Sequence, residues 1–223
     1  MTGFTDIADG VHLLRYPVLD VNVTLVVGGG YALVVDTLST AAQAAELAEA
    51  VRKITPLPLT IVNTHHHFDH CFGNAVLAGT GTDVWAHVAA ADHLRERGAH
   101  WQREWYRQWL PTEPELAQGL AEVTIRPPNR TVRTEATLDL GGRTVRLEHL
   151  GRGHTDGDLL VWVPDVDVVL AGDLVEESGP PDFGDGYPLE WPETLAALTH
   201  QLSPASVVVP GHGAPVDRAF VRA

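Results

Sequence analysis

Cysteine is nearly absent. Cys71 is the one thiol in 223 residues, so no disulfide can form within the chain. Positive charge is also scarce: 15 Lys+Arg stand against 29 Asp+Glu, a formal net charge of −14. A chain this acidic repels phosphate backbones and anionic membrane surfaces unless it gathers a basic patch, and no basic cluster occurs along it. No apolar run is long enough to span a bilayer. No sequence repeat, low-complexity tract or long linker divides the chain. The opening residues, MTGFTDIADG, carry neither a basic nor an apolar leader region, which makes the cytoplasm the expected compartment. These absences leave a small molecule as the expected partner, rather than nucleic acid or membrane.

What is present fits one globular unit, expected to cover residues 1–223. Hydrophobic residues make up 44% of the chain, and a domain of this length buries about 70–75% of its extended-chain surface without staples. Short β-branched runs at 11–16, 21–27 and 31–37 read as strands, with a GlyGlyGly turn at 28–30. Ala44, Leu47, Val51 and Ile54 recur at helical spacing over 41–54, with Ser39 or Thr40 as cap. Residues 59–62 and 82–87 read as strands, and 88–110 as a helix that Pro111 ends. A second set of strands is expected at 131–140, 143–150, 158–163 and 166–172. A helix follows at 192–202, then a strand at 206–209 and the start of a helix after Asp217. Both halves thus place strands before helical cover, which predicts an α/β sandwich with helices outside both sheets.

Twelve histidines are the unusual count. Five functional candidates of this type lie where strands end. Directly after the strand at 59–62 comes Asn63-Thr64-His65-His66-His67-Phe68-Asp69-His70. In extended backbone alternate side chains share a side, so His65, His67 and Asp69 face one point while His66 and Phe68 face away. A helix starting near His70 turns that ring back to the same point. Imidazole with carboxylate suits a borderline divalent ion such as zinc, with iron or manganese as alternatives. The cluster holds too many donors for one tetrahedral ion, which favours two ions and catalysis over a closed structural site. His154 sits in Gly151-Arg152-Gly153-His154-Thr155, Asp173 in Ala171-Gly172-Asp173, and His212 in Pro210-Gly211-His212-Gly213. Each alone reads as a loop residue; together with the triple-histidine run they form a metal-ligand set.

This pattern resembles the metallo-β-lactamase-fold hydrolases: Asp36 after an early strand, His65-x-His67-x-Asp69-His70, then His154, Asp173 and His212, in that order over roughly residues 20–213. The resemblance implies an αββα four-layer sandwich with two zinc ions at one edge of the sheets. It implies that His65, His67 and His154 hold the first ion, that Asp69, His70 and His212 hold the second, and that Asp173 bridges them. Asp36 is implied to orient the motif loop, with Thr64 and Thr155 as further supports. Hydrolysis of a small ester, thioester, lactone or amide (β-lactams among them) follows, by a water activated between the ions, with Asp69 as its catalytic partner. An iron oxygenase or redox protein, and a metal-binding relative without catalysis, are the alternatives on the same scaffold. Metallo-β-lactamases proper generally have Cys or Ser where Asp173 stands, so at this position the chain instead resembles glyoxalase II, lactonases, ribonuclease Z and related hydrolases, which lowers the expectation of an efficient β-lactamase. The charge of −14 speaks against ribonuclease Z, and the ten or so residues after His212 set the expectation away from glyoxalase II.

The remaining residues carry smaller expectations. The loop 174–191 holds five acids and three aromatics; it is expected either as plain surface or as a pocket wall favouring a neutral or partly cationic substrate. Trp101, Trp105 and Trp109 lie at i, i+4 and i+8, expected to pack on the core, with a substrate wall or partner face as the alternative. That stripe leaves monomer and homodimer both open. Cys71 is expected as a small buried side chain, and His87, His93, His100, His149 and His200 as structural or exposed. Arg152 is expected on the surface, with contact to a substrate carboxylate as the alternative.

Overall fold

The computed structural model describes residues 3–223. The first half runs β1 (Thr5–Ala8), β2 (Val11–Tyr16), β3 (Val21–Val27), β4 (Ala32–Val35), α1 (Ala41–Ile54), β5 (Leu59–Val62), α2 (Phe68–Cys71), α3 (Asn74–Leu77), β6 (Val84–His87), α4 (Val88–Trp109), α5 (Pro114–Ala121) and β7 (Arg130–Val132). The second half runs β8 (Glu135–Asp139), β9 (Thr144–Glu148), β10 (Leu160–Val163), β11 (Val168–Glu176), α6 (Trp191–Gln201), β12 (Val207–His212) and α7 (Arg218–Arg222). None of the described helices is long and apolar enough to cross a membrane.

Strand order is β7-β6-β5-β4-β3-β12-β11-β10-β9-β8, with β2 also on β3 and β1 on β2. β3 and β12 meet at one pair, His212 with Val21. Around this narrow seam the two halves fold onto each other. Period-2 alternation then makes four layers. On β10 and β11, Val161, Val163, Val168 and Leu170 point into a core shared with Leu33, Val35 and Val62 of the first half. Their neighbours Leu160, Trp162, Val169 and Ala171 point outwards, under Trp191 and Leu198 of α6 and Val221 of α7. On the other side Ala32, Val34 and Ile61 point outwards, under Leu47 and Val51 of α1. Both faces of each half are covered, which is why these strands read as continuous apolar runs. The architecture is the αββα sandwich expected.

Several boundaries differ from expectation, two of them in ways that shape the layers or the site. The run 131–140 is two strands: β7 pairs with β6 in one half, and β8 with β9 in the other. Exposed Arg133 and Thr134 carry the chain between layers without a Gly or Pro to mark the step. The strand expected to end at 172 instead continues to Glu176. Gly172 allows this with a φ of +54°, because its Cα passes against the side chain of Thr64.

The helix over 41–54 forms as its periodicity predicts, and Thr40 is its cap, with Oγ1 accepting from Gln43 N at 3.2 Å. Gln43 returns the bond, its Oε1 accepting from Ser39 N at 3.0 Å. Thr40→Ala is expected to lower unfolding free energy by about 1 kcal/mol, measured by urea denaturation.

Candidate metal centre

The strand ends place every candidate at one edge of the sandwich. β5 delivers the motif loop, the turn between β9 and β10 delivers His154, β11 carries Asp173, and β12 ends on His212. β5 ends at Val62, and residues 64–67 are bends rather than the extended backbone expected. The helix begins at Phe68, earlier than expected, so Asp69 and His70 reach the centre from the first turn of α2 rather than by strand alternation.

Two groups of donors share the centre, and Glu176 forms a third with Asp173 and His212. His65, His67, His154 and Asp173 are mutually close, and so are Asp69, His70 and His212. His67 Nδ1 and His154 Nε2 are 2.8 Å apart. Asp173 Oδ2 lies 3.6 Å from His65 Nε2 and 3.4 Å from His154 Nε2. In the second group His70 Nε2 and His212 Nε2 are 3.3 Å apart, and His212 Nε2 is 3.3 Å from Asp69 Oδ2. Asp173 also reaches this group, with Oδ2 3.4 Å from His212 Nε2 and Oδ1 3.1 Å from His70 Nε2. It therefore stands between the two.

A tetrahedral ion with bonds of about 2.0–2.1 Å spaces its donors about 3.3 Å apart, and these donors are spaced that way. Moreover, His65 Nε2 and Asp173 Oδ1 are buried without a hydrogen-bond partner. Buried polar atoms are rarely left unsatisfied. The donor set fits divalent cations.

Charge and protonation agree. Burial, with His70 nearby, holds His65 well below the usual histidine range, and burial lowers His154 to about 4. Both rings are neutral and keep a lone pair for an ion. Burial also pulls on His212, but Asp173 and Asp69 outweigh it and hold that ring above its usual range. Burial pushes Asp173 up, yet His70 and His212 overcome it and keep the carboxylate well below the ordinary value. The carboxylates at the centre thus draw positive charge to themselves.

Four of the five rings are aimed by their other nitrogen, whereas His154 Nδ1 is buried without a partner. Asp36, in left-handed backbone at φ +67°, accepts from His70 Nδ1, Thr64 N and Thr64 Oγ1, each at 2.8 Å. Thr64 Oγ1 in turn accepts from His65 Nδ1 at 3.0 Å. His212 Nδ1 donates to Leu19 O at 2.7 Å. His67 Nε2 donates to Asp185 Oδ1 at 3.0 Å. Such partners fix tautomer and direction. Asp158 fastens the turn beneath His154, accepting from Thr155 N and Oγ1; burial pushes its carboxyl up to about 7.

Sequence reasoning passed over Asp185, Asp158 and the Asn63–Asn74 pair, which ties the motif loop to α3 through Asn74 Nδ2 donating to Asn63 Oδ1 at 2.8 Å. Asp185 is one of five acids in its loop, and nothing in the sequence distinguishes it. His66 does turn from the centre, as expected. It donates to the other Asp185 oxygen at 3.1 Å and stacks on His93 at 4.2 Å, with planes 6° apart. His93 is tied to Asp156 at 3.4 Å. Parallel rings keep their lone pairs in separate planes, so this trio braces His66 rather than chelating. Cys71 is buried and donates to the carbonyls of His66 and His67. Arg152 is a surface residue paired with Glu190 at 2.6 Å. The tryptophan stripe packs on the core, as expected, and also borders a cavity. Trp105 and Trp109 pack on the cluster of Phe68 and Leu120, and with Trp101 they line a cavity of about 830 Å3 that His67, Asp69, His154, Asp173 and His212 also reach.

A family model described as the metallo-beta-lactamase superfamily matches residues 16–212. Metallo-beta-lactamase type 2 of Bacillus cereus is 27% identical over 180 residues, 79% of this chain and 60% of that protein. The chain therefore spans about three fifths of that relative. Probable metallo-hydrolase YqgX of Bacillus subtilis is 28% identical over 175 residues, 72% of this chain and 71% of the relative. A solved metallo-beta-lactamase from Pontibacter korlensis superposes with a TM-score of 0.79 at 21% identity, covering 99% of this chain and 95% of that one.

Gly211 is the tightest point of the centre: a Cβ there falls on the Asp173 carboxylate. Gly211→Ala is expected to displace Asp173 and weaken metal retention at least about tenfold, with an unchanged far-UV circular dichroism spectrum. Asp185→Asn, which alters neither backbone nor bulk, is expected to weaken it about 10–100-fold. Metal content after dialysis against graded chelator reads both.

Proposed function

Because the chain belongs to the metallo-beta-lactamase superfamily, we propose that it is a dinuclear zinc hydrolase of a small ester, thioester, lactone or amide. The observation that carries this reading is the position of Asp173, within 3.4 Å of both His154 and His212. A carboxylate so placed serves two ions at once. The second trio, Asp69, His70 and His212, is complete, which favours hydrolysis over single-iron oxygenase chemistry.

His65, His67 and His154 would hold one ion, and Asp69, His70 and His212 the other, with Asp173 between them. When bound, two such cations supply Lewis acidity that makes water nucleophilic near neutral pH and polarises a carbonyl. The chain's own part is positioning and proton transfer. Asp69 is buried at the floor, yet it borders the cavity. Its carboxylate orients the attacking water, accepts the proton and returns it to the leaving group. His212 Nε2 lies 3.3 Å from Asp69 Oδ2, so both would hold the same cation, which would fix the carboxylate. Substrate enters between α4 and the loop 177–190, which shield the reacting bond from bulk water. No Ser or Cys nucleophile is required, and Cys71 faces backbone carbonyls instead.

A panel of β-lactams, lactones, thioesters and simple esters, run on zinc-loaded and chelator-stripped protein, tests the proposal. Turnover of at least one class is expected, lost on stripping and restored by zinc, with two zinc ions per chain. Asp69→Ala is expected to lower kcat about 10²–10⁴-fold, and His67→Ala to abolish turnover, both with unchanged circular dichroism. Full turnover by either metal-analysed variant would refute the assignment.

A further inference from the structure

The cavity above the metal residues has two unlike sides. One side is α4. Trp101, Trp105 and Trp109 succeed one another along this helix, and all three line the cavity. Phe68 and Phe72 back Trp105 at 5.0 and 5.5 Å, and Trp101 stacks on it at 5.9 Å. Trp105 meets His67 edge-on at 6.1 Å, so the aromatic surface begins beside a metal candidate. The loop 177–190 also lines the cavity and presents Asp182 and Asp185, while burial beside Asp173 pushes the Glu176 carboxyl at its root up to about 9. Among the described residues no lysine or arginine lines the cavity. The nearby arginines are engaged elsewhere: Arg15 with Asp20, and Arg152 with Glu190 and the ring of Tyr187.

Building on the hydrolase reading above, we propose that the α4 tryptophans form the subsite for a bulky, uncharged apolar group of the substrate, and that the loop acids turn away substrates carrying a carboxylate. Aromatic walls recognise apolar bodies by area and ring contact. A carboxylate placed there finds no lysine or arginine in the lining and meets the like charge of Asp182 and Asp185. The metal candidates act on the reacting carbonyl at the floor, whereas the loop acids act on the far end of the molecule. A cationic far end is tolerated because Asp182 and Asp185 attract it, although the Arg97 guanidinium already occupies one face of Trp101 at 5.0 Å. β-Lactam antibiotics carry a carboxylate next to the ring, so they rank low for this pocket.

Three aryl acetates test the proposal on zinc-loaded protein: methyl 4-acetoxybenzoate, 4-acetoxybenzoate and (4-acetoxybenzyl)trimethylammonium. They place neutral, negative and positive groups at similar distances from the same ester. The neutral and cationic esters are expected to exceed the anionic one in kcat/KM by at least about tenfold. Asp182→Asn, at a loop residue whose Oδ1 accepts from Gly184 N, is expected to narrow that gap by about half or more. Trp105→Leu keeps apolar backing for Phe68 and is expected to raise KM for the neutral ester about fivefold or more, with a smaller effect on kcat. Trp101→Ala, at the open end of the stripe, is expected to act in the same direction. The product methyl 4-hydroxybenzoate, titrated by tryptophan fluorescence quenching, is expected to bind more weakly to both tryptophan variants. Equal kcat/KM for the anionic and neutral esters, or unchanged product binding by both variants, would overturn the proposal. If no ester is cleaved while product binding still falls in the variants, the hydrolase reading fails and the aromatic subsite stands.

Discussion

The buried carboxylate of Asp36 is the constraint on which the centre depends. An ion is costly to bury unless hydrogen bonds replace the water it loses. Asp36 is 2% exposed and receives three such bonds, from Thr64 N, Thr64 Oγ1 and His70 Nδ1. Those donors lie at the two ends of the motif loop. One short side chain therefore sets where the loop leaves β5 and where α2 begins. The left-handed backbone at Asp36 is what turns its carboxylate across the end of the sheet, and Asp is among the few residues that accept this conformation at modest cost. Through Thr64 the same carboxylate also orients His65. Burial still raises the Asp36 pKa, though His70 and Thr64 oppose it.

The sandwich supplies the other half of the geometry. β11 and β12 are parallel neighbours, so Asp173 and His212 come from adjacent strands running the same way. β12 touches β3 at His212 itself. The seam between the two halves and the candidate centre thus coincide. At this seam the regular ladder stops and polar groups replace strand pairing: Asn22 Nδ2 donates to the carbonyls of Pro210 and Gly213, both at 2.9 Å. The glycine at 211 admits Asp173 where any larger residue would exclude it. A loss of packing regularity at this point is what makes room for the donors.

Much of this was legible in the sequence because it is local. The helix over 41–54 follows from its own periodicity and cap. The spacing of His65, His67, Asp69 and His70 is short enough that backbone geometry alone brings the four together. His154, Asp173 and His212 were legible by resemblance, through glycine-flanked positions at strand ends. What stayed hidden is non-local. Asp185 meets His67 across 118 positions, and its loop contains other acids with equal claims. The break between β7 and β8 depends on which half each segment joins, a property of the folded layers and not of TVRTEATLDL. The tryptophan stripe was visible as a helix face, but whether a face meets core or cavity depends on what stands opposite. Here α5 and α2 cover part of it and leave the rest open.

These differences in origin explain why similarity carries further for the floor of the site than for its walls. The floor is built from groups that are buried or nearly so, most of them held by main-chain atoms or by another buried side chain, although His67 is held by the exposed Asp185. A substitution there leaves a polar atom unsatisfied, and such changes are expensive. The walls are α4 and the loop 177–190, where half-exposed side chains face solvent and exchange at little cost in stability. A solved structure of 21% identity shares the fold at a TM-score of 0.79, which speaks for the scaffold and not for the walls. In this chain the cavity walls carry three tryptophans and several acids, with no lysine or arginine among them. The chemistry follows from the floor, and the choice of substrate follows from the walls.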